Sequence, residues 1–269
     1  MSHSKRTEER LHEAMPAIAL PVCCSPVARG CPLLFVGCHL PTIGYYCPTE
    51  GTIYMADREH LALIPQGSKV WNYWRRRNPH IHPDLTGADL SKKTLREWNL
   101  KKSDLSLANL SSVDFCLANL EGANLYKADL REAIFYTANL KSATLREADL
   151  SRADLSEASL IQADLSLSNL QNAILSRADL AEARLYTACL READLTDAQF
   201  VRADLREVDF TMANIKEGDF RDANLSLAIF SLANLVGATL YGANLFQANL
   251  SCPICAWQTY APPTFPEPF

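Results

Sequence analysis

A five-residue period runs without interruption from residue 85 to residue 250 and constrains the fold more than any other feature of this chain. The 34 positions spaced five apart over this range carry 27 Leu, six Phe and one Ile. A small residue, usually Ala, lies two positions before each of them, and Asp or Asn often lies between, as in Ala148-Asp149-Leu150. Self-similarity at a fixed short period indicates a repeat architecture.

The five-residue unit favours extended backbone over a helix. Alternate side chains of an extended segment share a face, so the Ala and the Leu point inward together while the Asp or Asn points outward. The two remaining residues of each unit turn a corner. A period of five would spread Leu around every side of a helix with 3.6 residues per turn. The pattern therefore predicts a solenoid whose coils stack in parallel about 4.8 Å apart.

The phenylalanines indicate how many units form one coil. All six occupy the large apolar position and form three pairs separated by 20 residues: Phe115 with Phe135, Phe200 with Phe220, and Phe210 with Phe230. If four units close one coil, the two rings of each pair stack in adjacent coils. We therefore predict a coil of 20 residues.

Runs such as Ala148-Asp149-Leu150-Ser151-Arg152 resemble the A-[DN]-L-x-x units of the pentapeptide-repeat proteins, over about 168 of the 269 residues. The resemblance implies an all-β fold, a right-handed quadrilateral parallel β-helix. Departures from the pattern cluster at its start, where Lys93, Trp98 and Ser103 replace the small inward residue. We expect the first coil or two to be distorted there.

Composition divides the chain into four predicted regions. Residues 1–54 are rich in Cys and Pro and lack a period. We interpret them as a disordered leader or as an artefact of the assigned start, with translation beginning at Met55, which the intact mass of the native protein would test. Residues 55–82 are predicted to form a helical N-terminal cap, residues 83–250 the solenoid, and residues 251–269 a Pro-rich C-terminal tail.

The predicted cap contains two short helices. Residues 57–64 suit the first, a Pro-Gln-Gly sequence ends it, and Ser68 is predicted as the N-cap of the second, in which Val70 and Trp74 share a face. Such a cap covers the open end of a solenoid. The three consecutive arginines at 75–77 suit contact with nucleic acid or anionic lipid, but we favour a solvated helix terminus.

Charge bears on one function that the resemblance implies. Some pentapeptide-repeat proteins resemble duplex DNA in shape and charge and bind type II topoisomerases such as DNA gyrase. Residues 84–250 contain 24 acidic and 17 basic side chains, interleaved as in Arg146-Glu147, which predicts a patchy and screened field. The Pro-rich tail does not suit a long dimerising helix. A DNA-mimic regulator or protector of a topoisomerase therefore stays the alternative function, and homodimerisation stays open.

A second period of sixty residues, three coils, overlies the first. Because sixty is a multiple of twenty, residues related by this period lie on one side of the rod. That side is predicted to carry a regular column of exposed apolar residues: Leu107, Tyr126, Leu167, Tyr186, Leu227 and Phe246. Such a column is typical of a partner surface, although corner side chains that merely pack on one another are the alternative. We predict a protein-protein interaction scaffold with this binding face and another protein as its partner.

The sequence offers little for catalysis. All six His precede the solenoid, and the abundant carboxylates are a consequence of the repeat. Neither the cysteines of the leader nor the lone Cys252-Pro253-Ile254-Cys255 has the paired spacing of a zinc site. We predict no enzyme activity, no metal and no cofactor. An enzyme or metal protein that uses the cysteines at either end is the third hypothesis, and stoichiometric zinc in the purified protein would support it.

The remaining features bear on location and on other partners. Cys116 and Cys189 are assigned to outward slots and favour a reducing compartment, so we predict a bacterial cytoplasmic protein. No apolar run reaches the 18 residues that a membrane span requires. Neither a membrane span nor direct nucleic-acid binding is predicted.

Overall fold

A computed structural model describes residues 56–251. Helix α1 spans Arg58–Leu63, a 3-10 turn spans Ile64–Gln66, and helix α2 spans Ser68–Arg77. From Asp84 onward every five-residue unit contributes one parallel bridge, and each bridge joins residues twenty apart. The predicted leader and the cysteines at 252 and 255 lie outside the described residues, so the predictions made for them stay predictions.

The prediction of a 20-residue coil is confirmed by the bridges and by the aromatic rings. The rings of Phe115 and Phe135 stack with centroids 5.0 Å apart. The other two predicted pairs stack in the same way, at 4.8 and 4.9 Å. Four units therefore close one coil, and the fold is a right-handed quadrilateral parallel β-helix.

The core follows from the alternation of side chains. The large apolar residue of each unit and the small residue two before it are buried through nearly the whole solenoid. Adjacent coils share backbone hydrogen bonds: the N–H of Leu110 donates to the C=O of Asp129 at 2.8 Å, and the N–H of Asn109 donates to the C=O of Ala88 at 2.9 Å. This pattern satisfies the backbone polar groups that burial would otherwise leave unpaired.

The corners depend on left-handed backbone. The second corner residue of nearly every unit has a positive φ, for example 60° at Leu107. The outward Asp or Asn supports many of these corners, since its side-chain oxygen accepts a hydrogen bond from the N–H two residues on, as Asp104 does from Ser106 at 2.9 Å. This residue type therefore stabilises the turn in the units that carry it, which the outward orientation alone did not reveal.

Helix α2 closes the first coil by standing in for a preceding one. The Trp71 ring is fully buried, lies 5.2 Å from the ring of Trp98, and donates through Nε1 to the C=O of Asn99 at 2.8 Å. Asn72 accepts a hydrogen bond from the N–H of Asn99, also at 2.8 Å. These are backbone groups that an earlier coil would have bonded.

Arg75 completes the contact between α2 and the first coil. Its guanidinium donates to the carbonyl oxygens of Lys101, at 2.6 Å, and of Ile81. Only 6% of Arg75 is exposed, and burial lowers the pKa of the guanidinium. Arg75 thus serves the cap and not the solvated helix terminus to which the sequence assigned it.

Helix α1 satisfies the next side of the first coil. The Asp57 carboxylate caps the helix by accepting from the N–H groups of Glu59 and His60. The backbone N–H of Asp57 donates to the C=O of Asp84, and the N–H of Asp84 donates to Nδ1 of His60, both at 3.1 Å. The cap therefore bonds two of the four sides of the first coil.

Three details of the N-terminal region differ from the prediction. Ser68 is the first residue of α2 and not its N-cap; Gly67, whose φ is 85°, takes that position without a side-chain hydrogen bond. The buried face of α2 carries Trp71 and Arg75, whereas Val70 is 38% exposed. The prediction that the first coils are distorted was also wrong. The bridges there are regular, because α2 supplies the bonds of the missing coil.

Candidate functional site

The structure places the six predicted residues on one corner of the rod, and we name this set the corner column: Leu107, Tyr126, Leu167, Tyr186, Leu227 and Phe246. They form three pairs, because the N–H of each Leu donates to the C=O of the aromatic residue of the following coil, at 2.8, 2.9 and 2.9 Å. Three coils, about 14 Å, separate one pair from the next. Their role in binding stays a prediction.

The leucines of the corner column are exposed and occupy the left-handed corner position. Leu107, Leu167 and Leu227 are 41%, 44% and 45% exposed, with φ between 60° and 63°. Left-handed backbone costs a residue other than glycine about 1 kcal/mol, and little burial offsets that cost here. Polar side chains occupy most equivalent corner positions. The stability of the monomer therefore does not explain why these positions are apolar.

Neighbouring charged residues hold the two tyrosine rings in place. The hydroxyls of Tyr126 and Tyr186 donate to Glu147 and Glu207 of the next coil, at 3.4 and 3.3 Å. The Arg206 guanidinium lies 5.3 Å from the ring centroid of Tyr186, and Lys127 lies 5.2 Å from that of Tyr126. The rings are thus oriented before any partner binds.

Phe246 ends the corner column without a hydroxyl. It is 50% exposed and lies in the last coil that the structure describes, where no further described coil supplies a glutamate.

Lys127 also affects Glu147, which accepts the hydrogen bond from the Tyr126 hydroxyl. Its ammonium lies 3.2 Å from the Glu147 carboxylate, and hydrogen bonding from Lys127 lowers the pKa of that group. The acceptor for the Tyr126 hydroxyl is therefore a carboxylate at neutral pH.

One further Leu–Tyr pair lies on the diagonally opposite corner and was not predicted. The N–H of Leu117 donates to the C=O of Tyr136 at 3.1 Å, and the Tyr136 hydroxyl donates to Glu157 at 3.4 Å. The spacing of 19 residues between Leu and Tyr, the same as in the corner column, is the signal that would have found it. This pair occurs once, so it forms no column.

Exposed apolar residues also lie near the C-terminal end of the solenoid, and the sequence did not single them out. Met212 and Leu232 occupy the same corner in adjacent coils and are 54% and 56% exposed. Tyr241 is 61% exposed in the last described coil. These residues offer comparison positions for the corner column, because they are also exposed but lie on other corners.

Ion pairs neutralise much of the charge along the rod. Of the 17 Lys and Arg in residues 84–250, 12 lie within 4.0 Å of a carboxylate. Arg131, for example, lies 2.6 Å from Asp129 and lowers the pKa of that carboxyl through its hydrogen bonds. Such interleaving agrees with the patchy field expected from the sequence.

The two cysteines of the solenoid differ from one another. Cys189 is half-buried in an outward slot, but the assignment of Cys116 to such a slot was wrong. Cys116 lies at a corner, between Arg96 and Tyr136 of the adjacent coils, and is only 5% exposed. Burial and a hydrogen bond to Asp114 raise the pKa of its thiol, which makes Cys116 a poor nucleophile at neutral pH.

The structure of residues 56–251 also bears on metal binding and on membrane spans. No group of three or more His, Cys, Asp and Glu in this part of the chain is arranged to hold a metal ion. None of its helices has the length and apolar character needed to cross a bilayer.

Comparison with solved structures identifies similar folds. QnrB1, a plasmid-mediated fluoroquinolone resistance protein, superposes with a TM-score of 0.52 at 18% identity, covering 60% of this chain and 86% of QnrB1. HetL, a pentapeptide-repeat protein involved in heterocyst differentiation regulation in the cyanobacterium Nostoc sp. strain PCC 7120, is 31% identical. That match covers 68% of this chain and 95% of HetL, with a TM-score of 0.33.

Comparison by sequence gives the family. A search of curated proteins found no match. The family described as pentapeptide repeats (8 copies) matches six segments that together span nearly all of the solenoid: 84–116, 117–152, 133–172, 148–186, 188–226 and 219–251. These segments cover more than half of the chain. The chain therefore belongs to the pentapeptide-repeat family.

Proposed function

We propose that this protein is a non-enzymatic scaffold that binds another protein through the corner column. In this proposal residues 55–82 are the cap, residues 83–250 are the rigid body that carries the surface, and the protein acts in the bacterial cytoplasm. One observation supports it above all others: three Leu–aromatic pairs lie on a single corner at equal intervals of about 14 Å, and all of their side chains are exposed except that of Tyr126, which is half-buried.

Two physical features favour binding over mere corner packing. Exposed leucines at left-handed positions contribute little to folding, so the benefit of an apolar side chain there is greatest when a partner buries it. The tyrosine rings are already held by Glu147 and Glu207, which reduces the entropy lost on binding. Aromatic anchors of this kind often contribute much of the affinity at protein interfaces.

The absence of enzyme activity is part of the proposal. It is supported by the family that matches the chain, which is a repeat family. Many carboxylates of the solenoid support the corners, as Asp104 does, or pair with Arg and Lys, as Asp129 does. No cofactor is needed for the proposed role.

Affinity capture from a host lysate tests the corner column, with two triple variants beside the parent. The column variant is Tyr126→Ala, Tyr186→Ala and Phe246→Ala. The control variant is Tyr136→Ala, Met212→Ala and Tyr241→Ala, which removes exposed apolar side chains from other corners. We expect the parent and the control variant to capture the same protein and the column variant to lose it, with thermal unfolding nearly unchanged in both.

Two results would contradict this proposal. Equal capture by both variants would move the binding site away from the corner column. Loss of the folded state in the column variant alone, measured by circular dichroism, would make the column a structural element.

A DNA-mimic regulator of DNA gyrase is the second candidate. It is favoured by the excess of acidic side chains, 21 against 12 basic ones in residues 103–250, and by the fold shared with a fluoroquinolone resistance protein. Inhibition or protection of gyrase-catalysed DNA supercoiling by the purified chain would support this function over a general scaffold. No effect on supercoiling would remove it.

A further inference from the structure

The two ends of the described chain differ in charge. Residues 57–102, which form the cap and the first coil, carry ten basic and five acidic side chains, a net charge of +5. Residues 103–250 carry 12 basic and 21 acidic side chains, a net charge of −9. The described chain is therefore basic in the cap and the first coil and acidic from residue 103 to residue 222, whereas residues 223–251 carry no charged side chain.

The outer side of α2 forms the terminal surface of the basic end. Its side chains lie at positions 69, 70, 73, 76 and 77; position 73 is three or four residues from each of the others, which places all five on one face of the helix. All are exposed, and we name this set the end face: Lys69, Val70, Tyr73, Arg76 and Arg77. Because Trp71 and Arg75 on the opposite side of α2 bind the first coil, the end face points away from the rod.

The end face combines free positive charge with exposed apolar surface. The guanidinium groups of Arg76 and Arg77 lie 6.0 and 5.4 Å from the ring centroid of Tyr73, which is 52% exposed. Val70 and Ile81 beside them are 38% and 40% exposed.

Most cations of the cap and the first coil are not paired with a carboxylate. Apart from Arg75, which donates to carbonyl oxygens, seven cations here have no carboxylate within ion-pair distance among residues 56–251: Arg58, Lys69, Arg76, Arg77, Lys92, Lys93 and Lys102. This contrasts with the rod, where most cations are paired. Because these seven are not committed to internal ion pairs, their charge is available to a partner.

We propose that the end face binds an anionic lipid surface, with the rod standing end-on. Lys and Arg attract acidic headgroups, and tyrosine and aliphatic side chains favour the boundary between headgroups and acyl chains. The acidic rod is repelled by the same surface and is thereby directed away from it. Nucleic-acid phosphates would also attract the cations, but they offer nothing to Val70 and Ile81.

This binding is independent of the proposed scaffold function. The corner column runs along the rod and would stay accessible when the end face rests on a membrane. An end-on attachment would then present the column to proteins near the surface.

Vesicle sedimentation tests the end face with the full chain. The vesicles contain phosphatidylcholine and phosphatidylserine in equal parts, or phosphatidylcholine alone. The end-face variant is Arg76→Gln with Arg77→Gln. The control is Lys141→Gln with Lys216→Gln, which removes the same charge from two exposed and unpaired positions on the rod.

The parent and the control variant should sediment with the anionic vesicles and not with neutral ones. The end-face variant should bind about thirtyfold more weakly, since each cation near an anionic surface contributes about a factor of five. An equal loss in both variants would show a general charge effect and overturn the proposal. So would no binding by the parent, or tighter binding of the parent to duplex DNA than to the anionic vesicles.

Discussion

At the scale of single residues, the inward slot of the repeat tolerates a polar group only when that group finds a partner. Ser103 and Ser168 both replace the usual Ala and are 1% and 2% exposed. The Ser168 hydroxyl donates to the C=O of Leu165 at 2.7 Å, but the Ser103 hydroxyl has no hydrogen-bond partner. A buried polar group without a partner lowers stability.

Ser103→Ala should therefore stabilise the protein. We expect the free energy of unfolding to rise by about 1 kcal/mol, because the variant removes an unpaired hydroxyl and restores the residue that most units carry. Ser168→Ala is the matched control and should leave stability unchanged or slightly lower it, since it deletes a hydrogen bond. Urea unfolding measures both, and equal effects of the two substitutions would contradict this account.

At the scale of elements, α2 acts as a substitute coil. It contributes a ring that packs against Trp98 and side-chain groups that bond the free backbone of Asn99 and Lys101. Because a solenoid coil contacts only its neighbours, the loss of this helix would expose the first coil and let unfolding begin there.

Trp71→Ala tests the importance of α2. It removes a fully buried ring, so we expect the free energy of unfolding to fall by about 3 kcal/mol. Hydrogen exchange should speed up first at the backbone amides of residues 84–104. Tyr73→Ala, at an exposed position of the same helix, should change stability by much less. A similar loss from both substitutions would mean that α2 as a whole tolerates no change.

At the scale of the whole molecule, carboxylates along the rod are stabilised in their charged form. The pKa of Asp129 is lowered mainly by Arg131. Three other carboxyls also have lowered pKa values, because hydrogen bonds to the charged form outweigh the opposing effect of burial: Asp114, Asp164 and Asp209. Groups with a lower pKa in the folded state favour folding above their unfolded pKa of about 3.9.

The stability of the protein should accordingly depend on pH. We expect the melting temperature to stay level from neutral pH to about pH 5 and to fall as the pH drops below about 4 and these carboxyls become protonated. A variant with Asp164→Asn and Asp209→Asn should lose less of its stability between these conditions. The measurement is calorimetry across the pH range, and an unchanged acid dependence in that variant would place the effect in other groups.

The sequence by itself determined the coil. A strict five-residue period fixes which side chains face inward, and the 20-residue spacing of the phenylalanines fixes the coil length, because both depend on local geometry repeated along one axis. The sequence also placed the residues of the corner column on one side of the rod, because their sixty-residue period is a multiple of the coil length. Function was less accessible, because the repeat does not specify a partner.

Only the tertiary structure decided the features that depend on contacts outside the period. The use of Asn72, Trp71 and Arg75 as substitutes for a missing coil required knowing where α2 lies. The burial of Cys116 depends on the larger residues at its corner in the adjacent coils. These properties arise from packing between segments whose relative positions local sequence does not define.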